Sequence, residues 1–148
     1  MIKTYTMIKK GFTLIEMLVV ISLIGILAAL ALVSFTSSQK QTRDVTRKSD
    51  LKQYQTTIEN YANQNNGVYP IHATAITITM GTLCTELGMT TCFLDPKDPD
   101  LTYKYISDGT GYVFWSGLEN KSVTTYWMVC SSGKNAESTT TPTLAGCL

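Results

Sequence analysis

Histidine is almost absent from this sequence of 148 residues, in which His72 is the only example. Metalloprotease, serine-hydrolase and phosphate-loop motifs are absent as well. These absences leave no catalytic constellation, so we expect a protein that is not an enzyme and that uses no cofactor. His72 itself lies in a Thr-rich stretch, for which we expect exposure to solvent.

Charge is sparse and nearly balanced, with 12 Lys and Arg against 11 Asp and Glu. A net charge of +1 argues against a nucleic-acid partner, because such binding relies on a basic face. Lys3, Lys9 and Lys10 all precede Gly11, so residues 12–148 carry nine basic and eleven acidic side chains. The basic excess therefore belongs to the first eleven residues, and the remainder is mildly acidic.

Cysteine pairs of the CxxC type are missing, which disfavours a zinc site in a chain with one histidine. The chain has four cysteines, and all of them follow the apolar segment described below. An even number downstream of a membrane segment indicates disulfides formed in an oxidising compartment. Four cysteines allow three pairings. One of these gives two separate loops, Cys84–Cys92 and Cys130–Cys147.

Charged residues are absent from residues 17–33, MLVVISLIGILAALALV. The apolar stretch from Phe12 to Phe35 exceeds the roughly 20 residues that cross a bilayer as a helix. Lys9 and Lys10 come directly before it and favour a cytoplasmic N-terminus. The C-terminal part is then outside the cytoplasm.

Three interpretations of this segment compete. One is a secretory signal peptide cleaved at residues 29–31, one is a simple single-pass anchor, and one is a signal cleaved before a helix that is kept. The apolar run is longer than the roughly 7–15 residues of an ordinary signal core, and Glu16 lies inside it. The residues that distinguish the three are Lys9 to Glu16, KKGFTLIE.

The string KKGFTLIE resembles the type IV prepilin signature, in which a basic leader ends in Gly and Phe-Thr-Leu-Ile-Glu opens an apolar helix. The resemblance implies that a prepilin peptidase cuts between Gly11 and Phe12 and that Phe12 is then N-methylated. It implies that Glu16 neutralises the new amine of Phe12, in a neighbouring subunit or in its own, during assembly. It also implies an inner-membrane assembly platform and a homo-oligomeric, helical filament at the cell surface, with the precursor inserted in the cytoplasmic membrane.

Residues 37–66 keep a helical pattern but become hydrophilic. Apolar residues at spacings of three, four and six predict one buried stripe. We expect the basic residues Arg43, Arg47, Lys48 and Lys52 to form a solvated face, with pairs such as Arg47 and Asp50. The predicted stripe comprises Val45, Leu51, Tyr54, Ile58, Tyr61 and Ala62.

Asn66 and Gly67, with Pro70 beyond them, predict the end of this helix. A continuous helix from Phe12 to Asn66 is roughly 80 Å long at about 1.5 Å per residue. Its second half has a stripe that packs on a small body. Its first half has no partner within the chain, so it needs lipid or further copies of itself.

The remaining residues, 67–148, contain three runs rich in aromatic and branched side chains. Residues 103–106, 111–115 and 124–130 predict strands, and residues 107–110 predict a hairpin turn between the first two. Residues 82–88 predict a short helix. The expected fold class is α+β, a long N-terminal helix with a hydrophobic and an amphipathic half, packed on a small antiparallel β-meander.

Two further segments resemble pilins and secretion pseudopilins. Gly67-Val68-Tyr69-Pro70 resembles the Gly-x-Tyr-Pro that follows their long helix, and residues 95–105 resemble the Pro-Lys-Asp-Pro…Tyr-x-Tyr segment of major pseudopilins. The calcium-binding loop of the latter has no counterpart, because Ser131 to Leu148 contains no aspartate. The pair Cys130–Cys147 resembles the disulfide-bounded C-terminal loop of type IV pilins. It would tether a Ser/Thr-rich tail, residues 138–143, that otherwise predicts disorder and exposure, with O-glycosylation as the less favoured alternative.

A metal site is the remaining alternative for the acidic residues of the body. Carboxylates suit calcium, but their spacing matches no EF-hand loop, and the prolines at 96 and 99 indicate turns. We therefore expect no metal. The candidate ligands are Asp95, Asp98, Asp100 and Asp108.

The sequence thus predicts four parts: a cleaved leader (1–11), a transmembrane and filament-core half-helix (12–36), an amphipathic half-helix (37–66) and a β-rich head (67–148). The leading functional hypothesis is a major or minor pilin of a type IV pilus. One alternative is a pseudopilin of a type II secretion-like or competence system. Another, of a different class, is a monomeric membrane-anchored binding module.

Overall fold

The computed structural model describes residues 11–147, with side chains for all of them except residues 31–34. The predicted leader lies outside the described residues apart from Gly11. The chain divides into two units at Ser38 and Gln39, and the second is called the body here. The elements are helix α1 (Leu14–Gln64) and strands β1 (His72–Thr77), β2 (Lys104–Ser107), β3 (Tyr112–Leu118), β4 (Thr125–Cys130) and β5 (Asn135–Ser138).

Helix α1 confirms the predicted long helix to within two residues at each end. Its C-terminus has the expected left-handed cap, because Asn66 and Gly67 have φ values of 57° and 79°. The amide of Gly67 donates to the carbonyl of Ala62 at 2.8 Å, which satisfies a carbonyl that the helix leaves without a partner. Glycine meets no steric penalty in this conformation.

The sheet is an antiparallel meander in which the strands follow chain order. The three predicted strands are confirmed as β2, β3 and β4, with Tyr105 opposite Phe114 and Phe114 opposite Val129. The meander has five strands rather than three, because β1 and β5 add to its two edges. The sequence of β5, NAES, lacks the aromatic and branched residues that predict strands, whereas β1, HATAIT, has β-branched Thr and Ile residues but was not predicted as a strand.

Two other expectations for the body need correction. The predicted helix at 82–88 is a short helical segment, Met80–Cys84, that continues irregularly to residue 86 and breaks helical geometry at Thr82. The tail that was predicted to be disordered contributes Ser138 to β5. Within this tail Pro142 is buried, whereas the neighbouring threonines are exposed.

The sheet of the body is covered on both faces. On one face the buried helix residues Leu51, Tyr54 and Ile58 pack against aromatic side chains of the strands. On the other face the C-terminal segment covers the sheet, with Leu144 and the buried Cys147. Cover on both sides explains why β3 is buried along most of its length. The second cluster contains Val113, Trp115, Met128, Cys130 and Cys147, with Ile106, Tyr126, Ala136 and Leu144 beside it.

The predicted apolar stripe of α1 is right in its second half and wrong in its first. Leu51, Tyr54 and Ile58 are fully buried, but Val45 is 60 % exposed. The position that turns inward in the first half is Arg47, which is fully buried. The prediction of a solvated Arg47 paired with Asp50 is therefore wrong, because acidic groups distant in sequence surround this guanidinium.

Candidate functional site

The predicted processing site lies just before α1. Residues 11–13 are non-helical, and the side chains of Phe12 and Thr13 are exposed. A Cβ atom added to Gly11 would have no heavy atom within 4 Å. The peptide bond between Gly11 and Phe12 is thus outside the helical hydrogen-bond ladder. Such a non-helical backbone is accessible to a peptidase cleft.

Thr13 and Glu16 form a reciprocal cap at the start of α1. The carboxylate of Glu16 accepts from the amide and the hydroxyl of Thr13, both at 2.7 Å. The amide of Glu16 donates back to the hydroxyl of Thr13 at 3.3 Å. This capping box satisfies amide groups that a helix N-terminus leaves unpaired. It holds the Glu16 carboxylate one helical turn from Phe12.

No role was predicted for Thr13 from the sequence. The spacing Thr-x-x-Glu before an apolar run is a known N-terminal signature, so the signal was present in the sequence. Among residues 11–147, no basic side chain lies within ion-pair distance of Glu16. The carboxylate therefore has hydrogen-bond donors but no counter-charge in the described chain.

The apolar part of α1 exposes its side chains all round. Every side chain from Phe12 to Leu30 is exposed, Phe12 by 81 % and Leu14 by 84 %. Ser22 satisfies its hydroxyl by donating to the carbonyl of Leu18 at 2.7 Å, which makes it compatible with an apolar solvent. Among the described residues, α1 is the one helix long and apolar enough to cross a membrane.

In the body, Arg47 is the centre of a buried ion-pair network. Its guanidinium donates to both carboxylate oxygens of Asp95, at 2.7 and 2.8 Å, and to Asp44 at 2.8 Å. Its Nη2 also lies 2.6 Å from Glu119, which Arg43 contacts from the other side. The hydrogen bonds from Arg43, together with those from Arg47, lower the pKa of Glu119 from 4.5 to about 2 against the opposing effect of burial.

This network joins α1 to two loops. Asp44 accepts from the backbone amides of Glu119 and Asn120, both at 2.9 Å, in the loop between β3 and β4. Asp95, in the loop before β2, also accepts from Ser116 at 3.1 Å and from the amide of Lys97 at 2.8 Å. The carboxylate of Asp95 is therefore committed to these donors, which removes it from the alternative calcium site.

The carboxylates of the other acidic candidates for that calcium site make no hydrogen bond to Arg47. Asp98 and Asp100 are exposed. Asp108 accepts from the amides of Thr110 and Gly111 in the hairpin turn, and these bonds lower its pKa. Residues 11–147 contain no group of three or more His, Cys, Asp or Glu side chains that could hold a metal ion.

The cysteines form two disulfides in the structure, Cys84–Cys92 and Cys130–Cys147, with Cα–Cα distances of 5.8 and 5.5 Å. Cys84 is buried beside Tyr54, whose hydroxyl donates to the carbonyl of Phe93 at 2.7 Å. The second disulfide fastens the C-terminal segment to the end of β4.

His72 is less exposed than the sequence predicted. Its side chain is 21 % exposed and lies 3.0 Å from Glu86. Its ring makes an edge contact with that of Tyr105, with the ring centres 5.8 Å apart. His72 therefore contacts two other residues of the body at the start of β1 and does not extend freely into solvent.

Comparison with known proteins returned one finding. A family model described as "Prokaryotic N-terminal methylation motif" matches residues 6–32. No curated protein and no solved structure matches the chain. The matched residues include Gly11, Phe12, Thr13 and Glu16, the segment in which the helix cap was found. The motif supports a type IV pilin-like or pseudopilin protein with a structural role, and the chain carries the type IV prepilin signature at residues 6–32.

Proposed function

We propose that this protein is the precursor of a structural filament subunit, cut between Gly11 and Phe12 and N-methylated at Phe12. The observation that carries the proposal is the apolar segment that leads into and begins α1, whose side chains from Phe12 to Leu30 are exposed and which holds one carboxylate, Glu16. Such a surface is stable in lipid or against copies of itself. Before assembly it anchors the subunit in the cytoplasmic membrane, and afterwards it packs in the filament core.

Glu16 fixes the axial position of one subunit relative to its neighbour in this packing. An unpaired carboxylate in a medium of low dielectric constant is costly, and pairing with an amine reduces that cost. Cleavage after Gly11 would create an amine at Phe12. A neighbouring subunit that brings this amine to Glu16 satisfies both charges at one axial position. Thr13 supports the proposal, because its hydrogen bonds hold the carboxylate at the helix start.

Among filaments we propose a type IV pilus, with the prepilin peptidase and an inner-membrane assembly platform as partners. The C-terminal segment closed by Cys130 and Cys147, together with a tail without aspartate, supports this choice. A pseudopilus is the second candidate, supported by the segment Asp95-Pro96-Lys97-Asp98-Pro99. A monomeric, membrane-anchored binding module is the candidate from another class.

The test combines identification of the first residue of the mature protein with a search for filaments. Mass spectrometry of the protein expressed with a prepilin peptidase should give methylated Phe12 as the first residue. Electron microscopy of sheared surface material should show filaments labelled by an antibody to the body. A first residue near Leu32 would identify an ordinary signal peptide. A mature protein that begins at Phe12 but stays monomeric would support the binding module instead.

A further inference from the structure

A pocket of about 420 Å³ opens on the face of the sheet that is turned away from α1. Trp115 and Gly117 of β3 and Tyr126 of β4 line it from the sheet. Asp100, Lys104 and Thr141 lie around it, from the loop before β2, from β2 and from the C-terminal segment. Its volume falls within the range of small-molecule sites, about 300–1,000 Å³, and like them it is mainly apolar with a few polar groups.

Gly117 keeps this pocket open. It lies opposite Tyr126 in the ladder of β3 and β4, in a strand position where a side chain would normally cover the sheet. Glycine inside a strand weakens it and often marks a site where another group approaches closely. A Cβ atom on Gly117 would meet only Leu101, at an ordinary 3.5 Å. The backbone thus tolerates a side chain here, and its absence leaves space beside two aromatic residues.

Lys104 supplies the pocket with a positive charge. It is half-buried and lies opposite Trp115 in the ladder of β2 and β3. Its Nζ donates to the hydroxyl of Thr77 at 2.5 Å. Within the described part of the chain, residues 11–147, no carboxylate lies within 4.0 Å of this Nζ. A half-buried ammonium without an ion-pair partner in residues 11–147 favours a ligand that carries an anion.

We propose that this pocket binds a carboxylated pyranose, that is, a uronic-acid unit of an acidic glycan. The half-buried ring of Tyr126, beside the buried Trp115, suits the C–H face of a sugar ring, and Lys104 pairs with its carboxylate. The hydroxyl of Thr141 and the carboxylate of Asp100 at the rim hydrogen-bond the ring hydroxyls. An acidic peptide fits less well, because Asp100 repels a row of carboxylates. The proposal does not depend on polymerisation.

The test is a titration of the full-length protein in micelles of a zwitterionic detergent without a sugar headgroup. The amide resonances of Gly117 and Tyr126 are followed by NMR with methyl glucuronide, methyl glucoside, acetate and tetra-aspartate. Methyl glucuronide should bind at least about tenfold more tightly than methyl glucoside, because one charge-assisted hydrogen bond distinguishes them. Acetate and tetra-aspartate should bind more weakly than methyl glucuronide.

Two variants test separately the pairing with the carboxylate and the binding of the sugar ring. Lys104→Met keeps the stem of the side chain, so it should reduce the glucuronide affinity to that of the glucoside. Gly117→Val fills the pocket with a residue that strands favour, so it should abolish the binding of both sugars while the thermal transition is retained. Lys52→Met, on the exposed face of α1, and Gly81→Val, where a Cβ meets open space, are the matched controls and should leave both affinities unchanged.

Equal affinity for the two sugars in the wild-type protein would overturn the proposal. So would a glucuronide affinity that Lys104→Met leaves unchanged, or tighter binding of tetra-aspartate, which would indicate a peptide site. If Gly117→Val does not fold, the result with Lys104→Met decides alone, because that change leaves the backbone and the apolar stem in place.

Discussion

Arg47 and Asp95 form a two-pronged ion pair in the interior of the body, with both side chains fully buried. The Nε and Nη2 atoms of Arg47 lie 2.7 and 2.8 Å from the two carboxylate oxygens of Asp95. This geometry matches the planar fork of the guanidinium. Because Asp95 lies in the loop before β2, the pair fixes that loop against α1, and Glu119 does the same for the loop after β3.

We expect Arg47→Ala to destabilise the body severely. The change leaves the carboxylates of Asp44, Asp95 and Glu119 without their central counter-charge, and loss of one partner of a buried pair costs about 3–5 kcal/mol. Arg47→Lys keeps the charge but loses the two-pronged geometry, so it should cost less than Arg47→Ala. Urea denaturation of the full-length protein in micelles, followed by near-ultraviolet circular dichroism, measures both changes.

Lys52→Ala is the control for this series, because Lys52 is exposed on the same helix. Exposed substitutions of this kind change stability by about 0.5 kcal/mol or less. If Arg47→Ala were no more harmful than Lys52→Ala, the network would not stabilise the body.

The case of Arg47 shows why part of the fold could not be predicted. Helical periodicity identified Leu51, Tyr54 and Ile58 as buried, but it assigns every charged residue to solvent. The burial of Arg47 depends on Asp95 and Glu119. Both are distant in the chain and come next to Arg47 only when the sheet packs against α1. Sequence spacing carries no information about such a partner.

The strands of the sheet also differ in how well the sequence predicts them. Strand β3 was predictable because its sequence, YVFWSGL, is aromatic and branched. Strand β5, NAES, has weak propensity and forms because β4 offers unpaired backbone groups, whereas the β-branched residues of β1, HATAIT, are a strand signal that was present in the sequence. At the processing segment, contiguous residues carry the signal, so Gly11, Phe12 and Glu16 could be proposed from sequence alone.

The stability of the body should fall in acid in a way that Glu119 controls. The pKa of Glu119 is lowered from 4.5 to about 2 in the folded protein, first by the hydrogen bonds from Arg43. A lowered folded pKa stabilises the protein above the unfolded pKa, and this contribution is lost as pH falls from about 4.5 to about 2. Glu119→Gln should therefore be less stable than wild type at neutral pH and should lose less stability over that interval.

Three other carboxylates of the body affect the same measurement. Lys121 and Lys48 lower the pKa of Glu137, and hydrogen bonds from Gly111 and Thr110 lower that of Asp108, so both add a slope of the same sign. Burial raises the pKa of Asp50, which adds the opposite sign. Urea unfolding of wild type, Glu119→Gln and Glu137→Gln at a series of pH values separates the contributions of Glu119 and Glu137 from the rest. An identical pH slope for wild type and Glu119→Gln would contradict the assignment.

Non-reducing peptide mapping should recover Cys84 linked to Cys92 and Cys130 linked to Cys147. The second disulfide closes a loop with a sequence separation of 17, for which loop entropy predicts about 3 kcal/mol of stabilisation. Cys130→Ala with Cys147→Ala should lower the unfolding free energy by roughly that amount and expose the chain after Ser138 to proteases. Crossed linkages in the map would contradict the pairing.

The double change Cys84→Ala with Cys92→Ala is the comparison. Its loop has a separation of 8, so the entropic loss is smaller. Tyr54 keeps its bond to the carbonyl of Phe93. Protease sensitivity of the C-terminal tail should therefore increase only in the Cys130 and Cys147 variant.

Thr13 should control how well Glu16 is presented to an incoming subunit. Thr13→Val removes the hydroxyl that donates to Glu16 and accepts from its amide but keeps the shape of the side chain. Loss of such a cap costs a helix about 1 kcal/mol, so the first turn of α1 should fray. Thr13→Ser keeps the hydroxyl and should behave like wild type. Amide chemical shifts of residues 13–17 in micelles measure the cap directly, without any need for assembly.

The amount of filament in sheared material, measured in the same variants, then tests whether the cap matters for polymerisation. We expect Thr13→Val to reduce filament yield after normal cleavage at Gly11, whereas Glu16→Ala should abolish it. A Thr13→Val protein with wild-type shifts would show that the hydroxyl does not hold Glu16. A frayed helix with normal filament yield would show that the neighbouring subunit orients the carboxylate by itself.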